Sequence, residues 1–433
     1  MNSLDKTKSM RSVNLYFQVH QPRRLRDLSF FDIGNNETNF DDALNERIIR
    51  KVATKCYQPV NLLLLELILR YPQLRITFSI SGVALEQLEK YCPAVLESFR
   101  MLAATNSVEF LGETYYHSLC SLADPVEFAI QVNRHTEVME RLLGVRPTVF
   151  RNTELIYSDR LGEMIQQQGF QGVYVDGVQK ILGQRSPNKL YSHPFADGLK
   201  LFLRNYRLSD DIAFRFSDTT SKEYPLTASK FVHWIEQCPS EDNLINLGMD
   251  YETFGEHQKS ESGILKFLAS FLKRIAVHKQ IKMVNPSEAI SQIAATECVS
   301  APVPISWADR ERDLSAWLGN DMQRDAYHSM NNLKRDVMDV GDVSLLNIWR
   351  HLQTSDHFYY MATKTEDDGN VHQYFSHYPS PYEAFMNYMN ALSDLEFKIH
   401  SAQRMLLLKN QSRLRSKKIP SLGNLVENFS YLN

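Results

Sequence analysis

No two of the five cysteines, Cys56, Cys92, Cys120, Cys238 and Cys298, are spaced as CxxC, and their number is odd. That argues against a disulfide framework or a thiolate zinc site, and all five are expected to be core thiols. Positive charge is not in excess either. The 48 Lys and Arg against 51 Asp and Glu leave a formal net charge of -3 and a pI near 6.5. No overall basic field favours nucleic acid or an anionic membrane, and an uncharged substrate fits better. Long apolar runs are missing too: the longest, NLLLLELIL, is interrupted by Glu66 and too short to span a bilayer. MNSLDKTKSMRS leads directly into the strand-like VNLYFQVH without an apolar signal core, so a soluble, cytoplasmic chain is expected. Internal repeats and low-complexity segments are not evident.

What the chain does have is enough apolar material for a large core. Its 433 residues are 43% hydrophobic and 23% charged, near the globular average and sufficient for two or three domains. Seven short segments rich in β-branched, aromatic or leucine residues read as strands: 13–20, 75–81, 108–116, 148–155, 172–178, 199–205 and 243–250. Amphipathic helical patterns lie between several of them, as in LLLLELILRY, PVEFAIQVNRHTEVMERLLG and RLGEMIQQQG. Repeated β then α predicts a parallel sheet covered by helices, closed as a barrel or left open as a doubly wound sheet. Periodicity alone does not choose.

Reactive side chains gather where these segments end. His20 closes the first, Glu113 and His117 the third, Glu154 the fourth, Asp176 the fifth, and Asp250 with Glu252 the seventh. In a barrel such ends converge on one face, where active sites are built, whereas an open sheet spreads them along an edge. Beyond the seventh segment, ESGILKFLASFLKRIAVH reads as a helix. MVNPSEAISQI offers Asn285 as N-cap, Pro286 at the first helical position and Glu288 at the third. VSAPVPIS, residues 299–306, marks a boundary. From there to about residue 410 helical patterns dominate, so residues 1–298 are expected to form the sheet domain and 299–433 a helical one. The basic tail NQSRLRSKKIPSLGNL reads as a solvated end.

The stretch INLGMDYETFGEHQ, residues 245–258, could be the solvated end of a strand or half of a catalytic pair. A bond between sugars is broken by two carboxyl groups facing each other: one delivers a proton to the leaving oxygen, the other attacks or activates water. Such groups must come from different strands, because neighbours on one strand point to opposite faces. Glu154 and Asp250 meet that condition, and closing a seven-membered barrel would bring them to one mouth at roughly 5 Å, the spacing of a retaining enzyme.

Five stretches then resemble, in order, the conserved regions of glycoside hydrolase family 57, the family of intracellular α-amylases, 4-α-glucanotransferases and glucan branching enzymes. They are FQVHQP at 17–22, LGETYYHSL at 111–119, FRNTELIYSD at 150–159, LGMDYETFGEHQ at 247–258 and LQTSDHFYYM at 352–361. The resemblance implies an incomplete (β/α)7 barrel followed by a C-terminal α-helical domain that contributes to the cleft. It implies Glu154 as nucleophile and Asp250 as general acid/base, acting on α-1,4-glucans or maltooligosaccharides with retention. It also implies that His20 bonds the sugar beside the scissile bond, that Asp356 is the acidic residue of the fifth region, and that Trp307 stacks on glucan. In the second region His117 matches a substrate-contacting histidine, although Glu113 could align instead, because this region departs from the longer family pattern. Members generally work without a bound metal or other cofactor.

Each assignment has a plainer competitor. Asp250 could cap a loop; His117 could be a core histidine; Trp307 and Trp317 could be core aromatics. Glu252 and Glu256 are expected to face solvent or to position the loop of Asp250. The pairs His351 with His357 and His372 with His377 come near zinc-ligand spacing without a supporting cysteine and are read as structural. Asp210 and Asp211 could line the mouth or cap a helix. At the level of function, hydrolysis is favoured over transfer or branching. The rivals from other classes are a catalytically silent glucan-binding protein and a metal-dependent deacetylase or mannosidase, for which no clustered His and Asp ligand set is found.

Overall fold

The computed structural model describes residues 10–35, 38–364 and 376–418. Its centre is a ring of seven parallel strands: β1 (Arg11–Val19), β2 (Ile76–Ile80), β3 (Val108–Leu111), β4 (Val149–Arg151), β5 (Gly172–Asp176), β6 (Lys200–Arg204) and β7 (Leu244–Asp250). The seven expected segments are all present, and they pair in chain order, β1 lying between β2 and β7. The ring is thin at two seams. β6 meets β7 through the single register pair Arg204 with Asn246, and β3 meets β4 only where Gly112 pairs with Phe150. There the Gly112 N–H donates to the Val149 carbonyl at 2.9 Å and the Arg151 N–H to the Gly112 carbonyl at 2.8 Å. Gly112 is required at that seam, because a Cβ would lie 2.6 Å from the Phe170 ring. The nearly closed (β/α)7 barrel, not the open sheet, is the outcome.

Strand alternation sorts side chains between two environments. On β1, Leu15, Phe17 and Val19 join the large cluster under the helices, while Tyr16 joins Leu111, Val149, Tyr174, Phe202 and Leu244 inside the ring. This inner layer plugs the barrel; Tyr16 and Tyr174 pack at 4.3 Å between ring centroids. Above it, toward the C-terminal strand ends, come polar side chains: Gln18, Glu113, Arg151 and Arg204, all buried.

The expected helices form at Gln58–Arg70, Pro125–Leu143, Asp159–Gln167 and Ile264–Ala276. Glu288 reaches back to the Asn285 N–H at 3.0 Å, as the N-terminal pattern predicts. The stretch Asp42–Arg70 is long and apolar enough to cross a membrane by composition, but Val60, Leu64 and Leu67 are fully buried in the core under the helices. Within it, residues Ala53–Tyr57 form one π-helical turn.

The C-terminal helical unit collects Trp317, Trp349, Phe358, Tyr388 and Ile399 with Leu25, Leu28 and Phe40 from the loop after β1 into a separate core. Its last helix runs from Pro381 to Lys418. Trp317 is thus a core aromatic. One expectation is corrected and two open alternatives are narrowed. Cys298 is exposed and Cys238 half-buried, so only Cys56, Cys92 and Cys120 are core thiols. Asn205, not Asp210 or Asp211, caps the helix Tyr206–Ala213 by accepting from the Leu208 N–H. Glu252 is buried rather than solvated.

Candidate active site

Two short turns deliver the central carboxylate and its cation. β4 ends at Arg151, and the chain then enters a 3-10 turn in which Glu154 adopts φ 57°, ψ 23° and Leu155 φ 51°. After β3, His117 likewise sits at φ 49°. Left-handed backbone costs a non-glycine residue about 1–2 kcal/mol, so each needs support. It comes from the helical unit: the Trp307 N–H donates to the Glu154 carbonyl at 3.3 Å, and the Ser355 N–H to the His117 carbonyl at 2.9 Å.

Strained backbone aims the Glu154 carboxyl at three donors. The Trp307 indole N–H donates to Oε2 at 2.8 Å and the Ser355 hydroxyl to Oε1 at 3.1 Å. His117 Nε2 lies 3.4 Å from Oε1 as an ion pair. Burial pushes Glu154 toward its neutral form, but the bond and charge of His117 and the indole N–H outweigh it and hold the carboxyl below the ordinary glutamate range. His117 is 2% exposed. Burial alone would strip its proton; Glu113, at 3.8 Å from Nδ1, and Glu154 reverse this and raise it to about 9. Glu113 itself is fully buried. Burial opposes its charge, yet His117, His135 and Arg151 hold it down at about 2. Ser79 Oγ and Gln18 Nε2 donate to its other oxygen at 2.8 and 3.1 Å.

His20 stacks on His117 with ring centroids 3.9 Å apart. Its Nδ1 is 2.7 Å from Ser81 Oγ and its Nε2 3.0 Å from Asp356 Oδ2. Burial first, then the charge of His117, lower its proton affinity. In its neutral form, which these influences favour, His20 donates from Nε2 to Asp356 and accepts the Ser81 hydroxyl proton at Nδ1.

Asp250, at the end of β7, stands beside Gln18 in the register of β1 and β7. Burial raises its pKa to about 6; Arg151 opposes the rise and the Glu154 carboxylate adds to it. One mouth therefore holds a carboxyl supplied with donors and another left short of them. Of the residues named from sequence, Glu154, Asp250, His20, Glu113, His117, Trp307 and Asp356 are all brought together. Trp307 also carries the Arg151 guanidinium 4.6 Å from its ring centroid and donates its N–H to Glu154.

Sequence reasoning passed over Ser355, Arg151 and Arg312. Ser355 adjoins Asp356, and Arg151 is a lone charge closing an apolar strand three residues before Glu154, so both carried a signal. Arg312 did not. It bonds the Trp307 carbonyl, lies 3.2 Å from Asp176 Oδ2 and 3.4 Å from Asp210 Oδ2, and faces Arg204 across these two acids. Asp176 and Asp210 thus line the mouth as anchors for the Trp307 loop. His351 and His357 are buried, with His351 Nε2 3.4 Å from Glu86, and no metal-holding group of three or more His, Cys, Asp or Glu occurs among the described residues. His372 lies outside the described residues.

A parallel barrel whose mouth gathers two carboxyls of opposed proton affinity is the arrangement a glycoside-cleaving enzyme needs. Comparison with known proteins agrees. The model of glycosyl hydrolase family 57 matches residues 14–302. A Methanocaldococcus jannaschii protein named "Putative alpha-amylase" is 42% identical over 400 residues, covering 89% of this chain and 84% of its own length. The chain belongs to glycosyl hydrolase family 57. Solved structures share its fold: the branching enzyme of Pyrococcus horikoshii at TM-score 0.63 and 16% identity, over 84% of this chain and 88% of that one, and the α-amylase AmyC of Thermotoga maritima at TM-score 0.60 and 15% identity, over 95% of each chain.

Proposed function

We propose that this enzyme hydrolyses α-1,4-glucosidic bonds of α-glucans or maltooligosaccharides by double displacement with retention. Glu154 attacks the anomeric carbon, and Asp250 gives its proton to the leaving oxygen and later takes one from water. The observation that carries this reading is the unequal supply of donors: Trp307, Ser355 and the His117 cation on Glu154, against burial and a neighbouring negative charge on Asp250. A nucleophile must be ionised and an acid protonated at the same pH, and these surroundings push in those opposite directions. His20 and Asp356, coupled at 3.0 Å, are suited to bonding sugar hydroxyls at the cleft, and Trp307 holds the nucleophile rather than serving only as a stacking face. In this reading residues 299–433 cover the mouth and complete it.

The test is intact-protein and peptide mass spectrometry after reaction with a slow fluorinated glucoside. One added glycosyl group on Glu154 is the expected result, and Glu154→Gln should take up none. A label on another residue, or turnover by Glu154→Gln at the unmodified rate, overturns the assignment. Incubation with maltoheptaose, scored for new reducing ends against products longer than the donor, separates hydrolysis from transfer.

A further inference from the structure

Two residues past Asp250 the chain buries a third carboxyl. Glu252 lies in the 3-10 turn Tyr251–Thr253 and is 4% exposed. Its side-chain partners are neutral: the Tyr57 hydroxyl and, at 3.3 Å, the Gln21 amide, both donating to Oε1. The lysines of the facing helix, Lys51 and Lys55, pair with Glu256 instead. Asp250, Tyr57, Tyr251 and Cys56 surround Glu252 without positive charge; the Arg24 guanidinium stands beyond Gln21, to whose Oε1 it donates at 3.1 Å, and the His257 backbone N–H donates to the Glu252 carbonyl at 2.9 Å. A carboxyl enclosed in this way, with a second carboxyl beside it, keeps its proton.

The setting is also built to close tolerances. Tyr57 ends the π-helical turn Ala53–Tyr57, and such turns re-aim consecutive side chains and cluster at functional sites. Cys56 Sγ donates to the Tyr251 carbonyl at 2.9 Å, and Tyr57 stacks on Tyr251 with an interplanar angle of 8°. Gly255, at φ 125°, lies so near the Lys55 carbonyl that a Cβ would fall 2.1 Å from its oxygen. Three successive residues of one irregular turn therefore grip the segment that follows Asp250. Burial, then the adjacent Asp250, raise Glu252 to about 8.

We propose that Glu252 is a positioning residue that stays protonated through the catalytic cycle, is fixed at Oε1 by Tyr57, and donates its O–H as a hydrogen bond toward Asp250. It orients the acid/base carboxyl without adding charge beside it. The inference rests on Asp250 being the acid/base, and the experiment keeps the two apart.

Glu252→Ala, Glu252→Gln, Tyr57→Phe and Asp250→Asn are compared with the unaltered enzyme. The readouts are kcat and KM over pH on maltoheptaose and on an aryl maltoside with a good leaving group, together with melting temperature. A lost orienting bond should lower kcat of Glu252→Ala on the order of tenfold, with KM little changed and a smaller loss on the aryl substrate. Glu252→Gln, which supplies a neutral donor of the same shape, should recover most of that loss and leave the alkaline limb in place, and Tyr57→Phe should fall between. A downward move of the alkaline limb by about one pH unit or more in Glu252→Gln would show a charged Glu252 and overturn the proposal. So would unchanged kcat in Glu252→Ala, or a Glu252→Gln as impaired as Glu252→Ala. Should Glu252→Ala melt too low to assay, Glu252→Gln and Tyr57→Phe still decide. If Asp250→Asn loses no rate on maltoheptaose, it is the acid/base reading that fails.

Discussion

Replacing His117 by glutamine tests the electrostatics of the site. Both ring nitrogens of His117 face carboxylates, Nε2 at 3.4 Å from Glu154 and Nδ1 at 3.8 Å from Glu113, and one ring face is covered by His20. Little of it is left to touch a sugar, so its charge is the property that matters. At an effective dielectric of about 20, a unit charge 3.4 Å away stabilises the Glu154 carboxylate by about 5 kcal/mol. Water at the partly open carboxyl screens part of that, and what remains favours the ionised form, so its titration moves upward once the cation is gone. The sign is fixed: with Glu154 as the proposed nucleophile, kcat/KM needs its ionised form, so losing the cation raises the acid limb. Asp250 also loses a nearby positive charge and its limb moves up as well, though less, since His117 is among the smaller influences on it. The whole bell should therefore shift upward and narrow, with activity at pH 5 to 6 lost first. Initial rates on maltoheptaose from pH 4 to 9 measure this. A His117→Gln enzyme whose acid limb stays within about half a pH unit of the unaltered enzyme refutes the argument, and a rise in KM alone would restore the substrate-contact role.

The other predictions concern what holds the mouth together. Arg312→Ala removes two ion pairs and the tie to the Trp307 carbonyl, leaving Asp176 and Asp210 to Arg204 alone. With Arg312 partly exposed, a stability loss of about 2 kcal/mol is expected by denaturant titration, together with a lower kcat as the indole drifts from Glu154. Gly248→Ala places a Cβ 2.0 Å from the Tyr16 ring inside the barrel, an overpacking that should cost about 3 kcal/mol or more and lower the melting temperature. The folded-state pKa of His117, about 9, lies above its unfolded value. Its stabilising contribution is therefore fully present below about pH 6.5 and lost as pH rises through 9. His117→Gln should flatten that fall in stability measured between these limits.

The seven strands were legible because each is a short apolar run bounded by polar turns, and the two carboxyls were legible because each ends such a run. Two strands were overextended. The runs at 108–116 and 148–155 stay apolar or β-prone past Leu111 and Arg151, but the chain leaves the sheet there to make the turns that carry His117 and Glu154. Closure of the ring could not be read, since it depends on one pairing, Gly112 with Phe150, between segments far apart in sequence. The same limit explains Trp307. Its bond to Glu154 joins residues 153 positions apart, and no local pattern reports which edge of an indole meets a carboxylate. Sequence left Glu252 either facing solvent or positioning the loop of Asp250; only the π-helical turn, a product of tertiary packing, puts Tyr57 over it.

The difference between the two central carboxyls is thus not a property of glutamate against aspartate, whose ordinary pKa values differ by less than a unit. It comes from what the helical unit brings to one and not to the other. Trp307 and Ser355 each supply both a side-chain donor to Glu154 and a backbone N–H to a left-handed residue, Glu154 in one case and His117 in the other. Support for the strained backbone and ionisation of Glu154 are consequently the same set of contacts. A barrel deprived of them would leave Glu154 with His117 as its remaining donor among the described residues, and with a left-handed backbone that has lost the supporting Trp307 N–H. On the proposed mechanism, Trp307 and Ser355 would then be as necessary to the chemistry as the strands that carry the carboxyls.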